Sequence, residues 1–533
     1  MTQSWLQVPV IPRKKQGLRD AGFGGSTPYV AADTGIDTLS GFLPTNTAVD
    51  AEVLPGRDRV SARARDLGRN NGWAAGAVTK EIDGVIGANF RPLLKPDWRA
   101  LGLSPEWARE FKEAVEARWR TYADDPRCLC DTTRSQTMSQ LLGTAYRSYI
   151  VDGEAIGLVN WRQMRPTKTV LRVVDPDLLC NPNEAADEER LRGGVEISRD
   201  GVARAYHFRQ GHFDTSWPAY TSAMTWKRIG RESATGRPQV LHFFDKTRDG
   251  QTRGISRLAP IIEKLKMEDH YGRVELQAAV INAVLAAFIR SPMGPEVMDE
   301  MFGDGGDAKS FLNYQQARSS FYGDSGAVRM GGARVSTLYP GDEVGMVDTA
   351  RPAAQFAEFE AAVLRNIASG MGISYEQLAS DWSKVNYSSA RAAMIEIWRG
   401  WTARRTAFAQ GFCQPFFMAW LEEQVMDGYI RLPRRAPDFY TFWPAYARAK
   451  WIGPGKGFVD PVKEAQAAAM RVSLGLSTLE EEAAELTGTD YADNMEQIAR
   501  EIADMPEGTL HPAQESFAKL LGHYGGPAMT PED

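Results

Sequence analysis

Apolar side chains recur at steps of three and four along residues 353–371, at Phe356, Phe359, Val363, Ile367 and Met371. That spacing predicts a helix from Ala353 to Met371 carrying one narrow apolar stripe. A second helical pattern opens at Ser256 and Pro260 and can continue to about Ile289, about 33 residues or roughly 50 Å at 1.5 Å per residue. The text between the two, residues 291–350, is glycine-rich and broken (SPMGPE, FGDGGDAK, YGDSGAV, MGGARV, YPGDE), with one β-like piece, VSTLY. It reads as an insertion between helices. A third long helix is expected from about Ala390 to Met426, with Ile397, Trp401, Phe408 and Phe412 repeating at fours and sevens and a kink at Pro415. Its first half is basic, with Arg391, Arg399, Arg404 and Arg405 against Glu396.

The N-terminal half has another texture. Residues 1–54 are rich in Gly, Pro, Ser and Thr without apolar periodicity and read as a flexible arm. Helical text starts at Ser61 (ARARDLGRNNGWAAGAV) and resumes in SPEWAREFKEAVEARWRTYADD, where Ser104 is placed to cap and Pro105 to open the first turn. Residues 135–152 form a further expected helix. From Glu154 to Phe244 short strand-like runs (AIGLVNW, TVLRVVD, ARAYHFR, QVLHFF) alternate with DPD, NPN and GRP punctuation. After the aromatic connector DFYTFWPAYARAKW, residues 459–485 and 490–504 read as short helices, followed by a loose tail. The fold class is α+β, predominantly helical, and no internal repeat is visible.

Composition sharpens this picture. With 43% hydrophobic and 24% charged residues the chain is an ordinary globular mix, which excludes collagen-like and wholly disordered readings. The densest apolar run, Val274–Ile289, is shorter than a bilayer span and contains Glu275, Gln277 and Asn282. The N-terminal text has no apolar block before a small-residue cleavage site, and four cysteines are too few for a disulfide framework, so a reducing compartment is expected. Charge is unevenly spread. From Leu476 to Asp533 thirteen acidic residues face Arg500 and Lys519, a net of −11 against −6 for the whole chain, so the first 475 residues carry +5. A strongly basic surface for tight nucleic-acid binding is not present, although a protein that lets DNA slide past needs only weak contacts.

Chemical motifs fail on inspection. GPGKGF at 453–458 has Gly457 where a P-loop places Ser or Thr, and reads as a glycine-rich turn. Cys128 and Cys130 are one residue apart, too close for the usual zinc spacing. The histidines (His207, His212, His242, His270, His511, His523) show no HExxH, Asp175-Pro-Asp177 is first of all a turn signal, and GxSxG is missing. No catalytic, cofactor or metal site is expected.

Five blocks, in order, resemble the portal proteins of tailed bacteriophages, specifically the lambda-like portal family: RARDLGRNNGWAAGAV at 63–78, DGQTRGIS at 249–256, GISYEQL with YSSARAA at 372–393, WIGPGKG with KEAQAA at 451–468, and GLST at 475–478. The resemblance covers roughly residues 55–505. It implies a ring, usually of twelve subunits, at one capsid vertex, with a channel for double-stranded DNA during packaging and ejection. It also implies a division into arm (1–54), wing (55–256), stem helix (257–290), clip (291–350), second stem helix (351–373), channel loop (374–389), long helix with the rest of the wing (390–458), crown (459–505) and tail (506–533). Partners implied are the terminase large subunit, head-completion and connector proteins, and the major capsid and scaffold proteins, with assembly in the host bacterial cytoplasm and no membrane.

Geometry agrees with that ring. Twelve helices about 10 Å apart enclose a circumference of about 120 Å, a diameter of about 38 Å and, less one helix thickness, a lumen of about 28 Å. A duplex about 20 Å across passes with water. On this reading Ser383, Lys384 and Asn386 touch phosphates without reading bases, Trp382 and Tyr387 pack the loop base, and Phe356, Phe359, Val363, Ile367, Arg399, Arg404 and Arg405 contact a neighbouring subunit. The competing account of the stripe is a core helix of a monomer. Rival functions are a cytoplasmic nucleic-acid-processing enzyme with an unrecognised site, or another capsid or connector component.

Overall fold

The chain is committed to its folded body by residue 49, earlier than the expected arm boundary. Helix α2 (Val49–Asn70), preceded by the single turn α1 (Asp37–Ser40), begins with Val49 and Asp50 buried. Asp50 accepts hydrogen bonds from the Thr252 amide at 2.9 Å and the Thr252 hydroxyl at 3.1 Å, so the first turn is tied to a segment two hundred residues on. The computed structural model describes residues 30–32, 36–162, 167–211, 225–284, 288–290, 313, 316–317, 319–320, 328–330, 333–335, 343–345, 353–383, 385–456, 460–506 and 511.

Local chemistry explains the boundaries that follow. Asn71 adopts an extended backbone, ends α2 and caps α3 (Gly72–Val85) by accepting from the Ala74 amide. Ser104 caps α4 (Pro105–Ala123) as expected, accepting from the Trp107 amide at 3.2 Å. A capping box at Thr137 and Gln140 starts α5 (Met138–Asp152). Gly153 then turns the chain at φ +90°, where a Cβ would lie 2.1 Å from the Ile255 backbone.

The predicted strands pair antiparallel. β2 (Glu154–Trp161) is central between β3 (Thr169–Val174) and β8 (Val240–Phe244). A second sheet runs in the order β4 (Leu191–Arg192), β5 (Val195–Ile197), β6 (Ala203–Arg209), β7 (Trp226–Gly230). Ile156, Val174, Val195, Tyr206 and Phe208 are buried together between them. β1 (Arg91–Leu94) pairs with the distant β13 (Ala449–Ile452), closing the body across most of its sequence.

Helix α6 (Ile262–Val284) is shorter than expected. Its predicted continuation to Ile289 is corrected: β9 (Phe288–Arg290) pairs with β12 (Glu343–Gly345), Ile289 opposite Val344. An apolar run of this composition serves helix or strand alike, and a partner strand decides. The helix is therefore about 35 Å long, not 50 Å. β10 (Val328–Met330) and β11 (Ala333–Val335) form a hairpin, and the rest of 291–350 lies mostly outside the described residues. α7 (Ala353–Met371) has the predicted bounds.

After the short α8 (Tyr375–Ala379), the third long helix is α9 (Tyr387–Phe408), a wide π-type turn (Ala409–Cys413) and α10 (Gln414–Met426). Pro415 has no amide hydrogen for the Gly411 carbonyl, so the expected kink takes the form of that wide turn. Around it Trp119 packs against Trp420 (centroids 4.9 Å) and Phe417 (5.1 Å), and Phe408 stacks on Phe412 (5.2 Å). Truncating the wholly buried Trp420 to Ala would cost about 3–5 kcal/mol. The turn α11 (Trp443–Tyr446) leads to β13. Three terminal helices, α12 (Pro461–Ser473), α13 (Leu479–Leu486) and α14 (Tyr491–Asp504), follow it.

Candidate functional site

The apolar stripe of α7 divides in two. Ile367 and Met371, both fully buried, join Leu258, Ile261 and Leu265 in the chain's own core. The expectation that Ile367 meets a neighbouring subunit is thus corrected: the lower half of the stripe packs within the chain. The upper half does not. Tyr271 of α6 stacks on Phe356 (centroids 5.4 Å) and meets Phe359 edge-on (4.9 Å), while Phe359 is 49% and Met267 55% exposed. Val363 is half-buried, and with Met267, Tyr271, Phe359 and Leu67 of α2 it lines a groove of about 1280 Å³.

The segment after α7 is built by local hydrogen bonds. Ser374 caps α8, and Ser380 takes a left-handed backbone at φ +54°. Asp381 Oδ1 accepts from the Ser383 amide (3.0 Å) and hydroxyl (2.6 Å). Asn386 caps α9 by accepting from the Ser389 amide at 2.9 Å, which starts the helix three residues before the expected Ala390. Ser383 and Asn386 thus use these side-chain atoms to shape the loop. Trp382 is exposed rather than packed at the loop base. Lys384 lies outside the described residues, as does the Tyr387 side chain.

Two adjacent residues of α3 hold this region from below. The Lys80 ammonium donates to the carbonyls of Gln377 and Leu378 and, at 2.8 Å, to the Ser380 hydroxyl. Burial lowers the Lys80 pKa. The neighbouring Glu81 is fully buried and accepts from Tyr146 (3.0 Å), Arg257 just before α6, and Arg404 on α9 (3.2 Å). Burial raises the Tyr146 phenol. Arg405 is buried too: it donates to the carbonyls of Val85 (2.8 Å), Gly84 (2.9 Å) and Pro454 (3.3 Å) and lies over the Trp398 ring. Burial brings its guanidinium down to about 10. The expected intersubunit role of Arg405 is corrected accordingly, because it is consumed inside the chain, whereas Arg404 meets Glu81 with 24% of its side chain still exposed. Arg399 is exposed on a separate groove.

A second buried carboxylate organises the sheets. Glu154 accepts from Arg57 (2.7 Å), Arg253 (2.5 Å), the Gly254 amide (3.1 Å) and His242 (2.9 Å). Burial pushes this carboxyl up, but the charges of Arg253 and Arg57 outweigh it and hold it well below its ordinary value. DGQTRGIS at 249–256 is therefore structural text: Thr252 holds Asp50, and Arg253 holds Glu154. Asp175 and Asp177 both grip Arg65, while Asp175 caps its own turn. Cys130 is buried, its thiol pushed up to about 12. His212, His523 and residues 457–458 lie outside the described residues. Among the described residues no cluster could hold a metal ion, and no helix is long and apolar enough to cross a membrane. Glu81, Lys80 and Glu154 were not legible as functional residues, since lone charges within helical or strand text carry no spacing signal.

Comparison with known proteins adds the remaining fact. The family described as "Phage portal protein, lambda family" matches residues 36–405. The chain is 35% identical over 515 residues to the "Portal protein" of Escherichia phage N15, covering 95% of each. It is 33% identical over 497 residues to "Portal protein B" of Escherichia phage lambda, covering 92% of this chain and 90% of that one. Among solved structures it is similar to a protein in the "Neck of empty GTA particle computed with C6 symmetry", with a TM-score of 0.46 at 14% identity, covering 81% of this chain and 93% of that one.

Proposed function

The chain belongs to the lambda family of phage portal proteins, and from that premise we propose that copies of it close into a ring at one vertex of the virion capsid. The ring holds about twelve copies, the number for which side-by-side helices leave a lumen wide enough for hydrated duplex DNA. DNA passes through it during packaging and ejection. Residues 257–290 and 351–373 form the stem, 291–350 the clip on which terminase and head-completion proteins dock, 374–389 the loop bordering the channel, and 459–505 the crown. The protein works without catalysis, and ATP hydrolysis belongs to the docked terminase. Assembly takes place in the host bacterial cytoplasm, with scaffold and major capsid proteins.

The observation that carries this reading is the extent of the likeness, which runs over nine-tenths or more of both curated relatives. The outward aromatic cluster Tyr271, Phe356 and Phe359 supports it, since apolar groups left at a surface mark an association face. The test is mass and shape. A chain of 59.0 kDa gives a particle of about 0.7 MDa for about twelve copies by light scattering, and an annulus with an axial hole in electron micrographs. A solitary 59.0 kDa species at every concentration and salt overturns the reading. Phe359→Asp with Val363→Asp abolishes rings, and normal rings from that variant refute the intersubunit role of the upper stripe.

A further inference from the structure

Helix α14 is mounted with its polar back on its own subunit. Asp490 caps it, and Asp493 reaches Arg120 at 2.7 Å and Arg91 at 3.8 Å on the wing-side body. At about 100° per residue, Met495, Ile498, Ala499 and Ile502 fall about 120–180° around the helix from Asp493, so Met495, Ala499 and Ile502 face away from the chain that carries them, while Ile498 at the edge of the stripe is half-buried. No residue of α14 is buried, and Met495 and Ile502 are 43% and 37% exposed. Glu496 and Glu501 flank the stripe on its two sides. An amphipathic helix whose apolar side is turned outward is an interface half.

The matching half lies elsewhere on the same chain. Between α9, β13 and α13 runs a groove of about 760 Å³ whose floor is Trp398, Ala403, Ala409 and Trp451. Its rim carries Arg399, Arg448 and Lys450, with Glu481 and Glu485 on the α13 side. Arg399 has no ion pair among the described residues, Lys450 meets Glu485 only at 3.9 Å, and Arg448 meets Asp97 at 3.3 Å while largely exposed. The floor along residues 398–410 is about 18 Å long and α14 about 21 Å. No residue of α14 lines the groove of its own chain.

We propose that α14 of one copy seats its apolar stripe in the α9–β13 groove of the next copy, with Glu496 and Glu501 facing Arg399, Arg448 and Lys450. Two different patches of one chain then meet head to tail, the arrangement that closes into a ring when the rotation between copies divides a full turn. The inference rests on the ring reading above and names a second contact, outside the α6–α7 region.

The full chain carrying Thr402→Cys and Ile502→Cys tests it under mild oxidation. Covalent ladders of dimer and higher species appear on a non-reducing gel from the double variant and not from either single variant. Arg399→Glu added to it slows ladder formation by about fivefold, and Glu496→Arg restores the rate. Light scattering on the same samples separates the two readings. A particle of about 0.7 MDa that forms no ladder overturns the groove contact and leaves the ring standing. Ladders from Leu474→Cys with Ile502→Cys, but not with Thr402→Cys, also overturn it, since α14 then meets the neighbour's terminal helices. A chain that stays monomeric overturns both.

Discussion

Replacing Glu154 by Gln tests whether one buried carboxylate holds the two sheets together. Glu154 is fully buried, and its partners Arg57 and Arg253 expose only 3% and 2% of their side chains. The variant keeps the shape but turns one oxygen into a donor. That new N–H faces either the arginines or His242 and the Gly254 amide, and two guanidiniums lose their shared buried counter-charge, Arg57 keeping the exposed Asp58 at 2.6 Å. Breaking a buried pair in this way costs about 3–5 kcal/mol. For a body of about 400 residues, at about 1–2 °C per kcal/mol, the melting temperature falls by about 3–10 °C. Calorimetry at pH 7 measures it. The pH dependence has a definite sign: the folded carboxyl lies below its unfolded value of about 4.3, so its contribution is complete above that pH and is lost only as pH falls through the lower folded value. The deficit of the variant is therefore constant from pH 6 to 8. A shift under about 2 °C, or a deficit that vanishes within that range, refutes the assignment.

Three further outcomes are expected. Gly84→Ala places a methyl 2.3 Å from the Trp401 ring and lowers stability by about 1–3 kcal/mol in urea titrations, with Trp401→Leu in the same chain recovering part of it. Glu116, buried and accepting from the Leu94 amide, is pushed up to about 7 by burial. Its folded value thus exceeds its unfolded one, so stability declines as pH rises from about 4.3 through about 7, and Glu116→Gln flattens that slope in thermal melts. Lys80→Met frees the 377–380 backbone, and cleavage by trypsin after Lys384 becomes several-fold faster without a matching drop in melting temperature.

Periodicity explains what could be read in advance. Helix α7 was legible to the residue because its stripe persists through five turns, and α4 because Ser104 and Pro105 mark its start. What failed did so for physical reasons. The run after Val284 suits a helix or a strand equally, and only pairing with Glu343–Gly345 decides. Helical text was expected only from Ser61 because residues 1–54 lack apolar periodicity, yet the helix starts at Val49, where Val49 and Asp50 are buried by contacts with distant residues. A basic helix face was expected to meet a neighbour, but whether Arg404 and Arg405 point to solvent or to the Glu81 carboxylate and the carbonyls of Gly84 and Val85 depends on where α3 lies. The upper stripe at Phe356 and Phe359 remained at the surface, and its lower part at Ile367 did not. The same period of 3.6 describes both.

The wide turn at Ala409–Cys413 acts as a phase shifter in an otherwise continuous rod. One additional residue in a single coil rotates everything downstream by about 100° relative to everything upstream. Thus one rod can address Gly84 and Val85 with Trp401 and Arg405, then swing Phe417 and Trp420 onto Trp119 without a connecting loop. Deleting a single residue there would restore a uniform pitch and point Trp420 away from its aromatic socket, an insult far larger than the loss of one small side chain.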